Sequence, residues 1–271
     1  MKKIMAGLAV GALLFSMAGS VFAKNNQEKM VDVNFMSYNI HHGVGLDENL
    51  DLERIADVIK DADIDVIGIQ EVDRFYGERS DFQDQAKELA DMLNYHYVYG
   101  ANLDLPPEEG QDQNRQYGIG ILSKYPIIDS EHQKLDSFGN EQRGLLYAKI
   151  NIKGVHVNFY NTHLGLSAEE RMSQVQEIAA FKETKNNPSV LVGDLNAEPD
   201  SEEFQQLLAN GNFVDTFADI SDSNTFPVIN PTARIDYILT SPDVAASNQE
   251  VIYSEASDHL PIKSTLSFKK H

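Results

Sequence analysis

Strand-like and helix-like segments alternate from Val31 to Phe268, which predicts an α/β fold of mixed sheets with helices outside. Two observations argue against a purely parallel sheet. Some neighbouring strands are separated by a turn as short as Lys153-Gly154, and others by an amphipathic segment of helix length. A third observation, the lack of a repeat of fixed period or a low-complexity linker, predicts one domain over residues 31–271, preceded by a flexible segment 24–30.

The elements follow in order. Val31–Ser37 alternates as a strand. Leu52, Ile55, Ala56, Val58 and Ile59 recur at helical spacing, with Asp51 or Asn49 as the cap. Asp65–Gln70 is a short apolar run, as in a buried strand. Ala86, Leu89, Ala90 and Leu93 mark a second helix, and Tyr95–Tyr99 a strand. Residues 102–114, rich in acid, Pro and Gly, read as a surface loop. Tyr117–Leu122, Gly144–Ile152, Val155–Thr162 and Val190–Asp194 read as strands. Met172, Val175, Ile178, Ala179 and Lys182 lie on a helix between the last two. Phe204, Leu207 and Leu208 indicate a short helix, and Ile235–Leu239, Gln249–Tyr253 and Ile262–Phe268 the late strands.

Ahead of these lies a targeting signal. Lys2 and Lys3 precede an apolar stretch from Ile4 to Met17, and Val21-Phe22-Ala23 offers small residues at a cleavage site. The stretch is short for a bilayer span. The expectation is a signal peptide over 1–23 and a mature protein that works outside the cytoplasm, secreted or periplasmic according to the cell envelope. No transmembrane segment is expected after cleavage, and the expected state is a monomer.

Composition narrows the chemistry. The chain has no cysteine, which excludes a disulfide scaffold, a thiol nucleophile and cysteine-ligated metal. Its 42 acidic residues outweigh 22 Lys and Arg for a net charge of −20, and bulk charge does not hold such a chain to nucleic acid or anionic membrane. There is no Gly-x-Ser-x-Gly elbow, no His-Glu-x-x-His and no phosphate-binding Gly-rich loop.

The informative pattern is a set of polar residues at strand ends: Asn39, Glu71, His163, Asp194 with Asn196, Asp236, and Asp258 with His259. Ligand sites of α/β sheets collect where strands end in loops. Each residue has a structural alternative: Asn39 as a turn residue, Glu71 as a helix N-terminal charge, Asp194 and Asn196 as caps. Together they favour chemistry. Glu71, Asp194, Asp258 and the amide oxygens of Asn39 and Asn196 are hard oxygen donors suited to Mg²⁺ or Mn²⁺. His163 and His259 supply proton transfer or charge, and Asp236 could fix one imidazole tautomer. Metal, His and carboxylate together describe hydrolysis of a phosphate ester.

The strings Ser-Tyr-Asn39-Ile, Gln-Glu71-Val-Asp, Asn-Thr-His163-Leu, Gly-Asp194-Leu-Asn196-Ala, Arg-Ile-Asp236-Tyr and Ser-Asp258-His259-Leu-Pro resemble the endonuclease/exonuclease/phosphatase (DNase I-like) superfamily. The resemblance implies a four-layer α/β/β/α sandwich with two mixed sheets packed face to face. It implies Glu71 as principal metal ligand with Asn39 beside it, Asp258 as a further metal-side carboxylate, and Asp194 as the group that orients or deprotonates water. Asn196 becomes a phosphate or metal contact, His163 a donor to the scissile phosphate, and His259 a base or charge stabiliser paired with Asp236. The implied reaction is in-line attack of water on phosphorus with Mg²⁺ or Mn²⁺ as cofactor.

Asn39-Ile-His-His42-Gly, Arg79-Ser80, Asp84-Gln85, Tyr117-Gly118, Arg143-Gly144 and Arg171-Met-Ser-Gln174 are similar to a secreted bacterial branch, akin to the lipid-remodelling domain of some glycosylphosphatidylinositol pathway proteins. The substrate-side candidates are His41, Arg79, Tyr117 and Arg143. Arg79 and Arg143 reach either a second phosphate or a structural acid, and His41 and His42 line the site edge or a plain loop. A small phosphodiester or phosphomonoester, or a lipid head group, is the expected partner. A nuclease is disfavoured by charge, and a membrane-lytic sphingomyelinase by the absence of Trp and of an aromatic hairpin between Phe213 and Arg234. A non-catalytic binding module would have lost one of Glu71, His163, Asp194 or His259, and all are present.

Overall fold

The computed structural model describes residues 29–270, so the expected signal 1–23 and residues 24–28 lie outside the described residues. Twelve strands and four α-helices follow in the order β1 (Lys29–Asn39), α1 (Leu52–Asp61), β2 (Val66–Arg74), α2 (Gln85–Leu93), β3 (His96–Leu105), β4 (Arg115–Ser123), β5 (Ile127–Leu135), β6 (Arg143–Ile152), β7 (Val155–His163), α3 (Ala168–Glu183), β8 (Ser189–Asp194), α4 (Glu202–Gly211), β9 (Val214–Asp215), β10 (Asp236–Thr240), β11 (Ala245–Val251) and β12 (Ile262–Lys270). They form two six-stranded sheets, ordered β11-β12-β1-β2-β4-β3 and β5-β6-β7-β8-β10-β9. Each sheet has one parallel pair, β1 with β2 and β7 with β8, bridged by α1 and α3 respectively. That is the length of crossover a parallel pair needs.

Strand periodicity sorts side chains into layers. Val33 and Phe35 of β1 meet Val157 and Phe159 of β7, and Val190 and Val192 of β8, between the sheets. The alternate residues Met36 and Tyr38 face outward to Ile55 and Ile59 of α1 and Leu89 of α2. On the other side Tyr160, Leu191 and Tyr237 face Ile178 of α3 and Phe204 of α4. The result is the four-layer α/β/β/α sandwich. Asp51, one of the two expected caps, accepts from Arg54 N, and Ser167 with Glu170 closes a capping box at the start of α3.

The strand alternation departs from expectation at the edges. β3 runs on to Leu105, so residues 102–105 are strand and the loop is 106–114. Asn102 is buried because its Oδ1 accepts from His132 Nε2 of the other sheet at 3.0 Å. β11 sits at Ala245–Val251, ahead of the expected 249–253, and carries a register shift between Ser247 and Glu250. β1 begins at Lys29, two residues before the expected domain start.

Register brings the functional ends together. Asn39 pairs with Gln70, His163 with Asp194, Gly144 with His163, and Asp236 with Asp194. The C-terminal ends of β1, β7 and β8 and the N-terminal ends of β6 and β10 therefore share one rim of the sandwich. In mid-sandwich Asn161 of β7 crosses to the other sheet. Its Nδ2 donates to Ile69 O at 2.9 Å and Gly120 O at 2.7 Å, and its Oδ1 accepts from Gln70 Nε2 at 2.6 Å. Gly68 makes room for it, since a Cβ there would stand 2.8 Å from Asn161 Cγ and 2.3 Å from Val192 Cγ2.

Candidate active site

The first sheet delivers Glu71 through a β-bulge. The β2–β4 register shifts between Ile69 and Val72, and Glu71 takes φ +57° inside a strand. A residue with a side chain in that region costs ~1–3 kcal/mol and persists where surrounding contacts fix it. Asn39 is one such contact: its Nδ2 donates to Glu71 Oε1 at 3.0 Å and to Asp194 Oδ2 at 3.1 Å. Its Oδ1 accepts from His41 N at 3.1 Å. Asn39 is thereby a clamp between the sheets, with its amide nitrogen toward both carboxylates. His41 and His42 follow in a tight turn, also with positive φ, their rings 4.4 Å apart. Asp258 Oδ1 lies 4.0 Å from His41 Nδ1.

The second sheet, joined by His259 from the loop ahead of β12 in the first sheet, delivers a buried half. Asp194 Oδ2 is 3.5 Å from His163 Nε2 and 3.7 Å from His259 Nε2, and its Oδ1 accepts from Asn196 N at 2.9 Å. Asn196 has φ +49° and spends its Nδ2 on Leu164 O at 3.0 Å. His163 Nδ1 is 3.2 Å from Arg143 Nη1. A guanidinium only donates, so His163 Nδ1 is the acceptor and its proton sits on Nε2. His259 Nδ1 is 2.9 Å from Asp236 Oδ2, and a carboxylate accepts, so that nitrogen carries a proton.

Burial and charge drive the two histidines apart. Burial, reinforced by Arg143 and His259, holds His163 well below the ordinary imidazole range and therefore neutral. Burial also works against the His259 cation, but Asp236 in contact, with Asp194 and Asp258 behind it, overrides it and raises the ring to about 10. Asp194 is pushed up to about 7 by burial and then by Asp236, with His259 and the Asn196 and Asn39 hydrogen bonds pulling the other way. One carboxyl near neutrality thus sits between a neutral and a cationic imidazole.

Arg143 is buried, and its Nη1 lies 2.8 Å from Glu141 Oε1. A cavity of about 340 Å³ lined by Arg143, Asn140, Glu141, Leu166 and Ser167 opens beside it. Tyr117 is buried close enough to Glu71 for that charge to help raise its phenol. Arg79 has its guanidinium engaged: it forks onto Asp73 with two bonds of 2.8 Å and lies over the Tyr76 ring at 4.2 Å. Its structural reading is the one the geometry favours.

Sequence reading missed three supports. Ser257 Oγ donates to Asn39 O at 2.7 Å and accepts from His259 N at 3.3 Å, tying the Asp258-His259 loop to β1. The string Ser-Asp-His held that signal. Gln70 and Asn161, polar residues in apolar strand runs, were equally visible. Phe226, whose ring lies 4.7 Å from His259, carries no periodic signal at all.

Comparison with known proteins agrees with this geometry. The profile of the Endonuclease/Exonuclease/phosphatase family matches residues 36–259. The YbhP protein of Escherichia coli strain K12 is 26% identical over 89% of this chain and 98% of its own length. Sphingomyelinase C of Bacillus cereus is 24% identical over 97% of this chain and 96% of its own. An endonuclease/exonuclease/phosphatase crystal structure from Beutenbergia cavernae superposes with a TM-score of 0.73 at 25% identity, covering 88% of this chain and 72% of that one. With the matched profile spanning every element of the site, the chain belongs to the endonuclease/exonuclease/phosphatase family, whose reactions cleave phosphate ester bonds.

Proposed function

We propose that this protein is an exported, divalent-cation-dependent hydrolase of a small phosphate ester. The observation that carries the reading is Asp194, buried between His163 and His259 and clamped through Asn39 to Glu71. Export rests on the lysines, apolar stretch and small residues of 1–23.

The donor set fits a cation. Glu71 is half-buried with one oxygen held by Asn39, and Asp258 is about one-third exposed, 4.0 Å from His41 Nδ1. Glu71 would hold the ion, with Mg²⁺ or Mn²⁺ as candidates. When bound, the ion supplies Lewis-acid neutralisation of charge on the phosphoryl oxygens. Asp194, held near neutrality, takes the proton of the attacking water. His163 presents Nε2–H as a neutral donor to a phosphoryl oxygen. His259, kept cationic by Asp236, faces the charge that develops on phosphorus. Arg143 fixes the His163 tautomer and shows its other face to the adjacent cavity, where the leaving group has room.

The test is turnover on bis-p-nitrophenyl phosphate, sugar phosphates, plasmid DNA and phospholipid head groups, with EDTA followed by Mg²⁺ or Mn²⁺. Loss of turnover in EDTA and recovery with metal is expected, and full turnover in EDTA overturns the proposal. Efficient plasmid nicking at physiological salt would instead make the protein a nuclease.

A second reading, cleavage of a lipid head group at a surface, has one observation in its favour. Phe138, Leu166 and Ile229 are exposed at 54, 75 and 54% on three loops at the site end. Turnover that rises steeply when a short-chain substrate passes its micelle threshold would favour it. No helix of the described residues is long and apolar enough to cross a membrane.

A further inference from the structure

We propose that His41 and His42 join Glu71 in the cation site, so that it takes a transition metal that accepts imidazole nitrogen, Mn²⁺, Co²⁺ or Zn²⁺, in preference to Mg²⁺. The inference rests on Glu71 being the cation ligand of the proposed reaction.

One donor atom from each of these three residues lies within 4.8 Å of the other two. Donors around an ion with bonds of about 2.1 Å stand roughly 3–4 Å apart, so the three donors have only a small distance to close. All three residues hold left-handed backbone, with φ of +45°, +44° and +57°. Such a run is uncommon in residues with side chains, and it clusters where function demands a geometry.

The turn is fixed from outside. His42 O accepts from Gln85 Nε2 at 2.6 Å, and the buried Gln85 receives Asp73 N through its other end at 2.9 Å. Asn39 Oδ1 receives His41 N, Ile40 O receives Gly43 N at 2.8 Å, and His41 O receives Val44 N at 2.9 Å. The same Asn39 that turns Glu71 inward therefore also seats the His41 turn.

The tautomer suits a ligand. His41 Nδ1 is 3.2 Å from Val44 O, which can only accept, so Nδ1 carries the proton and Nε2 the lone pair. Asp258 Oδ1 stands 4.0 Å from the same Nδ1, and a carboxylate or carbonyl behind the imidazole is the usual support of a metal-binding histidine. Two imidazoles with one carboxylate suit Mn²⁺, Co²⁺ or Zn²⁺, whereas Mg²⁺ keeps to oxygen. All-oxygen ligation by Asn39, Glu71 and Asp258, the sequence expectation, is the alternative that this arrangement argues against.

The deciding measurements are calorimetric titrations of the chelator-stripped protein with Mn²⁺ and Mg²⁺, and pulsed EPR of the Mn²⁺ form. Imidazole ¹⁴N coupling is expected, with Mn²⁺ bound at least about tenfold more tightly than Mg²⁺. A His41→Asn/His42→Asn double variant keeps a residue that tolerates positive φ. It should lose the nitrogen coupling and ~10–100-fold in Mn²⁺ affinity while Mg²⁺ affinity stays within about threefold. Mn²⁺ bound without nitrogen coupling, or with equal affinity in the double variant, overturns this inference and leaves the phosphoesterase reading intact. Turnover that persists in EDTA overturns that reading instead. If the double variant fails to fold, the wild-type spectrum alone decides.

Discussion

The two sheets contribute opposite kinds of half-site. The half from β1 and β2 is partly exposed, and its geometry comes from strained backbone: His41, His42 and Glu71 all hold positive φ. The half from β6, β7, β8 and β10 is buried, and Arg143, His163, Asp194 and Asp236 stand at the ends of strands. Its chemistry is tuned instead by burial and charge, which hold His163 apart from His259, contributed by the loop ahead of β12 of the other sheet, and lift one carboxyl. The lesson is a division of labour. A group that must change protonation is best kept dry and fixed, whereas a group that receives an ion must stay reachable by water.

The sharpest break of this contrast is Asp194→Asn set against Glu71→Gln. Asp194→Asn should lower turnover by ~10³-fold with Mn²⁺ affinity held within a few-fold, whereas Glu71→Gln should lose the ion itself. Equal loss of metal in both, by calorimetry, would merge the two halves into one site. Next come the imidazoles: His163→Ala and His259→Ala should each fold and lose ~10²-fold in turnover. Arg143→Met, which removes the tautomer-fixing donor and the ion pair with Glu141, should cost less, about tenfold. An unchanged rate in both histidine variants would show the site to be misassigned.

Stability separates the halves more gently. Gly68→Ala drives a methyl into Val192 and Asn161 between the sheets and should cost ~1–3 kcal/mol, a fall in Tm of several degrees. An unchanged Tm would mean that the sheets slide apart freely. The smallest effect belongs to His132, on the edge strand β5. Burial, with some help from Lys134, lowers its pKa to about 4 from the ordinary 6.5. The unfolded chain then binds more protons across that window, so stability is full above about pH 6.5 and drains as pH falls toward 4. His132→Gln should flatten that part of a Tm-against-pH series, and a superimposable series would remove His132 as a cause.

Legibility followed burial. Strands with one face in the core, such as β7 and β8, alternate visibly in sequence, and their terminal His163 and Asp194 could be read as site residues. β5, at a sheet edge with exposed residues from Ile128 to Glu131, shows no such pattern and went unread, as did the two-residue β9. The loop assignment failed at Asn102 because its composition is polar while its partner, His132, is remote in sequence. The candidate set, which the fold brings to one rim, was legible as residue types at strand ends. The amide direction of Asn39, the left-handed turn at His41 and His42, and the ion pair that occupies Arg79 arise from contacts between elements, which local sequence does not encode.

One feature reaches beyond its own hydrogen bonds. Asn161, spanning from β7 to the carbonyls of Ile69 and Gly120, works as a spacer between the strands that carry Glu71 and Asp194, the two carboxylates of the proposed reaction. The spacer lies in mid-sandwich, away from the loops 136–142, 164–167 and 216–235 that frame the mouth. Those loops can then be exchanged, by evolution or by an engineer, to fit a different leaving group while the reacting distance stays set.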